Sequence, residues 1–174
     1  MKHRLPLETE VKLRVPSTAA VAPMLEALGF TLESPAQEEL SVLWDRAGEL
    51  RGRGSALRVR RYGGSCLLTF KGPREPDPVL KIRPERETTV ADAEALETIL
   101  GALGFAPVLT MRKTRAVWSR EELEACLDET PFGSFLELEG DPAAIRLAMQ
   151  GLGLDASHVE TRSYAALYGG LASD

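Results

Sequence analysis

Histidine and cysteine are nearly absent from this sequence: among 174 residues there are two of each, and they are scattered. Cys66 and Cys126 lie far apart with no further cysteine near either, which excludes a disulfide framework and a thiolate zinc site and leaves two ordinary buried thiols. His3 and His158 are too few for a catalytic triad or an imidazole metal cage. No apolar run approaches the ~20 residues that span a bilayer, and the opening MKHRLPLETE has no apolar leader core, so a soluble, cytoplasmic chain away from membranes is expected. Positive charge is also short overall. A formal net charge of -5 and a pI near 5.2 argue against nucleic acid as a partner, and any anion site must be local.

Apolar side chains, at 44%, suffice for one domain over residues 1–174 with a sizeable core. Three segments with helical spacing of Ala and Leu close alike, on EALGF (26–30), GALGF (101–105) and QGLGL (150–154), making Gly29, Gly104 and Gly153 candidate left-handed caps. Asp141-Pro142 opens the third helix, whereas Pro23 threatens the first. Shorter helices are expected over 119–126 and 163–170. Between them, residues 8–15, 55–62, 65–71, 80–88 and 134–140 alternate with period two and predict strands. GPREPDP (72–78) is a loop. Helices do not alternate regularly with strands, so the class is α+β.

The alternation is unusual for what it puts on one face. Glu8, Glu10, Lys12 and Arg14 share a face of the first strand, and Lys81, Arg83, Glu85 and Glu87 share one of another, as do Glu137 and Glu139. Gly63-Gly64 suits a two-residue hairpin turn, which sets Tyr62 opposite Ser65, Arg60 opposite Leu67, Arg58 opposite Thr69 and Ala56 opposite Lys71. Arg58, Arg60 and Lys71 then converge on one surface. If helices cover the apolar faces, the charged ones point to solvent on an open sheet or into the lumen of a closed one. With Lys113 and Arg115 included, that surface carries an excess of cations although the chain is acidic, the pattern of a phosphate site, and its paired glutamates suit a hard cation such as Mg²⁺ or Mn²⁺. RGRGSA (51–56) lacks the phosphate-loop pattern and is taken as a loop. Trp44 and Trp118 are expected to pack, and Asp128 stands open between a ligand and a turn residue.

Glu8-x-Glu10-x-Lys12 resembles the signature of the CYTH family, the triphosphate tunnel metalloenzymes named for bacterial class IV adenylyl cyclases and thiamine triphosphatase. In order follow Asp45, Leu57-Arg58-Val59-Arg60, Thr69-Phe70-Lys71-Gly72, Arg83 with Glu85 and Glu87, Arg112-Lys113-Thr114-Arg115, Asp128, Gly133 to Glu139 and Ser163-Tyr164. The resemblance implies an eight-stranded antiparallel β-barrel with helices packed outside, a triphosphate-containing small molecule as partner and Mg²⁺ or Mn²⁺ as cofactor. It implies Glu8, Glu10, Glu137 and Glu139 as metal ligands with Glu85 and Glu87 in support, and Arg58, Arg60, Lys71, Arg83, Lys113, Arg115 and Arg162 as phosphate ligands, with Lys12 at the reacting end. Metal-dependent hydrolysis of inorganic, thiamine or nucleoside triphosphate is the favoured activity. A class IV-type cyclase making cyclic AMP and a polyphosphate- or nucleotide-binding module without turnover are the alternatives, and a homodimer is open. Two departures stand out: Leu43-Trp44-Asp45 lacks a tyrosine that relatives carry, and Arg162 replaces a lysine. The segment from Arg112 to Trp118 implies a bulge or an outward arginine, because those two residues share a parity.

Overall fold

A computed structural model describes residues 5–169, so His3 and the expected last helical residue, Gly170, lie outside the described residues. Eight strands, β1 (Leu7–Val15), β2 (Thr31–Asp45), β3 (Ala56–Tyr62), β4 (Ser65–Lys71), β5 (Lys81–Thr89), β6 (Ala106–Arg120), β7 (Leu123–Thr130) and β8 (Gly133–Glu139), close a barrel in the order β1-β5-β4-β3-β2-β6-β7-β8. Every pairing is antiparallel. The helices are α1 (Thr18–Ala27), α2 (Glu49–Gly52), α3 (Ala93–Ala102), α4 (Pro142–Gly151) and α5 (Tyr164–Gly169). None is long and apolar enough to cross a membrane.

The apolar core lies outside the barrel wall. Odd-numbered β1 residues Val11, Leu13 and Val15 join Trp118, Ala125, Leu136 and Leu138 beneath Val21 and Leu25 of α1 and Ile145 and Met149 of α4. A smaller cluster sets Trp44 and Val59 against Leu100 of α3. Each such side chain contributes roughly 1.5–3 kcal/mol on full burial, so helix packing fixes which strand face looks inward. The even-numbered, charged face of β1 is left for the lumen.

The local reasons follow the sequence closely. Gly29, Gly104 and Gly153 end α1, α3 and α4 at φ +83°, +83° and +66°. Asp141 caps α4 by accepting from the Ala143 and Ala144 N–H groups. Pro23 sits inside α1 without ending it, because the helix is held by Val21 and Leu25 in the core. Gly63 and Gly64, both at positive φ, make the β3–β4 turn, and the register is the expected one from Tyr62–Ser65 to Ala56–Lys71.

The helix expected over 119–126 is absent. Those residues end β6, turn at Glu121 with φ +55°, and begin β7. Glutamates favour a helix, but Leu123, Ala125 and Leu127 enter the core at alternate positions, and burial outweighs propensity. Arg112 is the outward arginine: it pairs with Glu38 on the surface while Trp118, of the same parity, packs in the core. The register shifts fall partly on the facing strand, with extra residues in β2 between Leu32 and Gln37.

Candidate functional site

The inner face gathers charge from all eight strands into three neighbourhoods. The first surrounds Lys12, which is 1% exposed. Its Nζ donates to the Arg162 carbonyl at 3.1 Å, lies 3.5 Å from Glu137 Oε1 and sits 3.7 Å above the Tyr164 ring. Lys81 Nζ reaches the same carbonyl at 3.4 Å and Glu10 at 3.4 Å. Burial pulls the Lys12 ammonium down to about 7, against the opposing pull of Glu137. Burial acts to raise the Glu10 and Glu137 carboxyls, yet the surrounding lysines, with Arg115 beside Glu137, hold both below the usual range.

The second neighbourhood is built on Asp128, fully buried in β7. Its oxygens accept from Arg115 Nε and Nη2 at 2.7 and 2.6 Å, from Lys113 Nζ at 2.9 Å and from the Tyr164 hydroxyl at 2.6 Å. Arg115 Nη2 also donates to Glu137 at 2.6 Å, linking the two neighbourhoods. Glu39 of β2, 2% exposed, stands 3.7 Å from each of Lys113, Arg115 and Arg60 and accepts from Ser41 at 3.0 Å. Burial opposes its ionisation, but Lys113, Arg115, Arg58 and Arg60 bring it to about 2. Nearby, Glu87 accepts from Arg60 at 2.9 and 3.0 Å and from Thr69 at 2.6 Å, with Arg58 at 3.6 Å.

The third neighbourhood is acidic. Lys71 pairs with Glu85 and lies 3.5 Å from Glu8. Burial and the adjoining Glu8 carboxyl push Glu85 up to about 8, and burial likewise raises Glu8 and Glu139. These three line a cavity of about 340 Å³ with Pro6, Thr9 and Gly140.

A larger cavity, about 990 Å³, is bordered by Glu10, Lys12, Arg58, Lys71, Lys81, Arg83, Lys113 and Glu137. Arg60 and Arg115 do not border it; Arg60 braces Glu39 and Arg115 braces Glu137, which do. Arg83 is tied to the Gly72 and Gly54 carbonyls. The Arg162 guanidinium turns away, half exposed, onto Glu160; only its carbonyl reaches the two lysines. Glu87 is engaged by Arg60 and Thr69, with Arg58 beside it. Among the described residues, no three His, Cys, Asp or Glu side chains converge as a ready ion site. The donors are nonetheless all carboxylate oxygens, and burial, the main cause that raises the Glu8, Glu85 and Glu139 carboxyls, is a penalty on their charge that a hard cation would offset.

Glu39 escapes the sequence pattern: Pro35 and the extra residues before Gln37 break the alternation of β2, although Ser41-Val42-Leu43-Trp44-Asp45 retains it. Asp128 is neither turn residue nor uncommitted ligand but the acceptor that fixes Arg115, Lys113 and Tyr164. Asp45 accepts from the Arg46, Leu50 and Arg51 N–H groups and shapes the α2 turn.

Comparison with known proteins accords with this arrangement. The family model for the CYTH domain matches residues 6–162. A Methanocaldococcus jannaschii protein provisionally named an adenylate cyclase is 35% identical over 136 residues, 76% of each chain. A Vibrio parahaemolyticus structure with a similar provisional name is 22% identical, with a TM-score of 0.81 over 94% of this chain and 98% of that one. A Hippeastrum protein named for adenylyl cyclase and described as having a dominant triphosphatase activity is 21% identical, with a TM-score of 0.65 over 94% of this chain and 96% of that one; both structural likenesses are of fold. A match spanning nearly the whole chain, on a closed barrel lined in this way, makes this protein a member of the CYTH family.

Proposed function

We propose that the protein is a metal-dependent triphosphatase. The observation that carries this reading is the convergence of Lys12, Arg58, Lys71, Lys81, Arg83 and Lys113 on one cavity in a chain of net charge -5. Such a surplus of buried cations stabilises a polyanion and the charge that develops as its terminal phosphoryl group departs.

Arg58, Lys71, Arg83 and Lys113 bind phosphate oxygens in this reading, while Glu39, Glu87 and Asp128 keep the arginines and Lys113 aimed. Glu8, Glu10, Glu85, Glu137 and Glu139 provide the carboxylates for Mg²⁺ or Mn²⁺, which when bound adds positive charge beside the phosphate oxygens. Water attacks the terminal phosphorus; a P–O bond forms, the bond to the bridging oxygen breaks, and the electron pair leaves with the diphosphate end. In this reading Lys12, buried and drawn down to about 7, accepts in its neutral form the proton that water loses and then adds to the cationic wall. Arg162 takes part through its carbonyl, which orients Lys12, and not through its guanidinium.

The names of the M. jannaschii and Hippeastrum proteins keep adenylyl cyclase as the second reading, with pyrophosphate as leaving group. The description of the Hippeastrum protein is a reason not to equate that name with cyclase activity on this fold. One assay decides. The protein is incubated with ATP, inorganic triphosphate and thiamine triphosphate plus Mg²⁺ or Mn²⁺, and products are identified. Orthophosphate supports hydrolysis, cyclic AMP with pyrophosphate supports cyclisation, and binding without product leaves a sensor. Arg58→Ala and Glu10→Gln should each weaken binding or turnover at least about tenfold, as expected for a lost charge-assisted contact. If both are unchanged, the tunnel is not the site.

A further inference from the structure

Lys12 is held at both ends by one short segment. Its carbonyl accepts the Glu160 N–H at 2.8 Å, and its ammonium donates to the Arg162 carbonyl at 3.1 Å. Just before, Val159 bridges to Leu13, so residues 159–162 lie against β1 at the level of the lysine. The Glu160 carboxylate, 8% exposed and lining neither cavity, ties this segment together. Its Oε1 accepts from the Arg162 N–H at 3.1 Å and from Nε at 2.8 Å, and its Oε2 accepts from Arg162 Nη2 at 2.7 Å and from Arg14 Nη2 at 2.9 Å. On the far side of the Arg162 carbonyl, Ser163 caps α5, its hydroxyl accepting from the Ala166 N–H at 3.1 Å. With its N–H and guanidinium fixed to one carboxylate and the next residue fixed as a helix cap, Arg162 can aim its carbonyl one way only, at the lysines.

That carbonyl carries a second ammonium, Lys81 Nζ at 3.4 Å. Two like charges on one acceptor repel each other, so their closeness has to be imposed by what holds the acceptor. A carboxylate in its place would cancel charge that a polyanion needs. A carbonyl is neutral; it holds both ammoniums by hydrogen bonds and leaves both charges for an anion.

We propose that Glu160 is a positioning residue of the tunnel: acting through Arg162, it keeps a neutral acceptor against Lys12 and Lys81 and so sets the two ammoniums side by side on the cavity wall. This role rests on the phosphate reading of the tunnel and adds the device that fixes two of its cations from outside the cavity. The sign of its effect separates it from plain electrostatics. Glu160 is an anion beside a site for anions, and by charge alone its removal should tighten anion binding. Loss of the clamp weakens binding instead, because the lysine pair is no longer held together. In Glu160→Gln the amide nitrogen faces two N–H donors whichever way it turns, since each carboxylate oxygen accepts two.

The test is calorimetric titration of the full chain with tripolyphosphate at pH 7 in EDTA, so that no divalent metal supports turnover, with thermal melting to show that each variant is folded at the titration temperature. Glu160→Gln should weaken binding about fivefold or more, the effect of about 1 kcal/mol of lost positioning. Arg162→Ala removes the other half of the clamp from a half-exposed position and keeps the carbonyl; it should weaken binding to a similar extent. Because both act by one route, the double variant should bind within about twofold of the weaker single variant. Binding that is unchanged or tighter in Glu160→Gln overturns the role. So does a loss confined to Arg162→Ala, which would mean that the guanidinium itself meets phosphate, and so do losses that multiply in the double variant. Arg58→Ala separates the two layers: if it weakens binding while Glu160→Gln does not, the cationic cradle stands and only the clamp falls. If the unaltered protein does not bind tripolyphosphate, both fall together.

Discussion

Replacing Asp128 by Asn changes one atom and removes the charge on which the second neighbourhood is built. Its carboxylate accepts four hydrogen bonds, three of them from Arg115 and Lys113, and none of its surface reaches solvent. An amide nitrogen in place of either oxygen faces N–H donors and leaves Arg115 and Lys113 short of neutralising charge. Breaking a buried pair from one side typically costs about 3–5 kcal/mol. With an unfolding entropy of roughly 2.1 cal/mol/K per residue, the 174-residue chain should lose about 8–14 °C of melting temperature. Tyr164→Phe deletes only one of the four bonds, about 1.5–3 kcal/mol because its acceptor is charged, and provides the scale. The assay is thermal denaturation followed by circular dichroism at low and high salt. Because the pair is buried, salt should not rescue the variant. A loss under about 1 kcal/mol, or full recovery in high salt, would refute the account of Asp128 as a buried counter-charge.

Glu160 is held down at about 2 by its hydrogen bonds to Arg162, with Arg14 adding to them. A depressed carboxyl stabilises fully above its unfolded value of about 4.5 and loses that contribution as pH falls toward 2. Glu160→Gln should therefore cost about 1–2 kcal/mol at pH 7, discounted because Arg162 and Arg14 are 51% and 45% exposed, and almost nothing near pH 2, as urea midpoints will report. Glu85 runs the other way: its carboxyl is raised to about 8 chiefly by burial, so the folded state loses stability as pH rises from about 4.5 toward 8. In the absence of divalent metal, Glu85→Gln should raise the melting temperature at pH 8 by about 3–6 °C and leave it unchanged near pH 4; a lowered value at pH 8 contradicts the reading. Gly140 sits at φ +151°, and an added Cβ would lie 2.9 Å from the Glu122 carbonyl oxygen. Gly140→Ala should lower the unfolding free energy by about 2 kcal/mol or more in denaturant titration.

What could be read from the sequence was whatever depended on short-range regularity. Period-two charge on β1, β5 and β8, the glycine pair behind the β3–β4 register and the three glycine caps are all local, and the structure keeps each. Helix against strand at 119–126 was undecidable locally, since Glu-rich composition and alternate Leu/Ala burial point opposite ways and only the finished core selects between them. The same holds for β2, whose irregular first half obscured its alternation and with it Glu39. Side-chain direction at the chain's end was equally out of reach: nothing in Arg162-Ser163-Tyr164 says that the carbonyl, not the guanidinium, would face Lys12.

With the apolar core outside the wall, two jobs that most small enzymes combine are kept apart. Helices α1 and α4 clamp the strands by contacts that never enter the lumen. Exchanges among lumen residues such as Leu43, Leu109 and Met111 then alter what the barrel accepts while the contacts that hold it closed remain. A lineage built on this plan can change such uncharged lumen positions by point substitution at little expense to the fold. The same separation makes it a scaffold for designers: lumen positions outside the counter-charge network around Asp128 can be rewritten with the outer clamp left as it is.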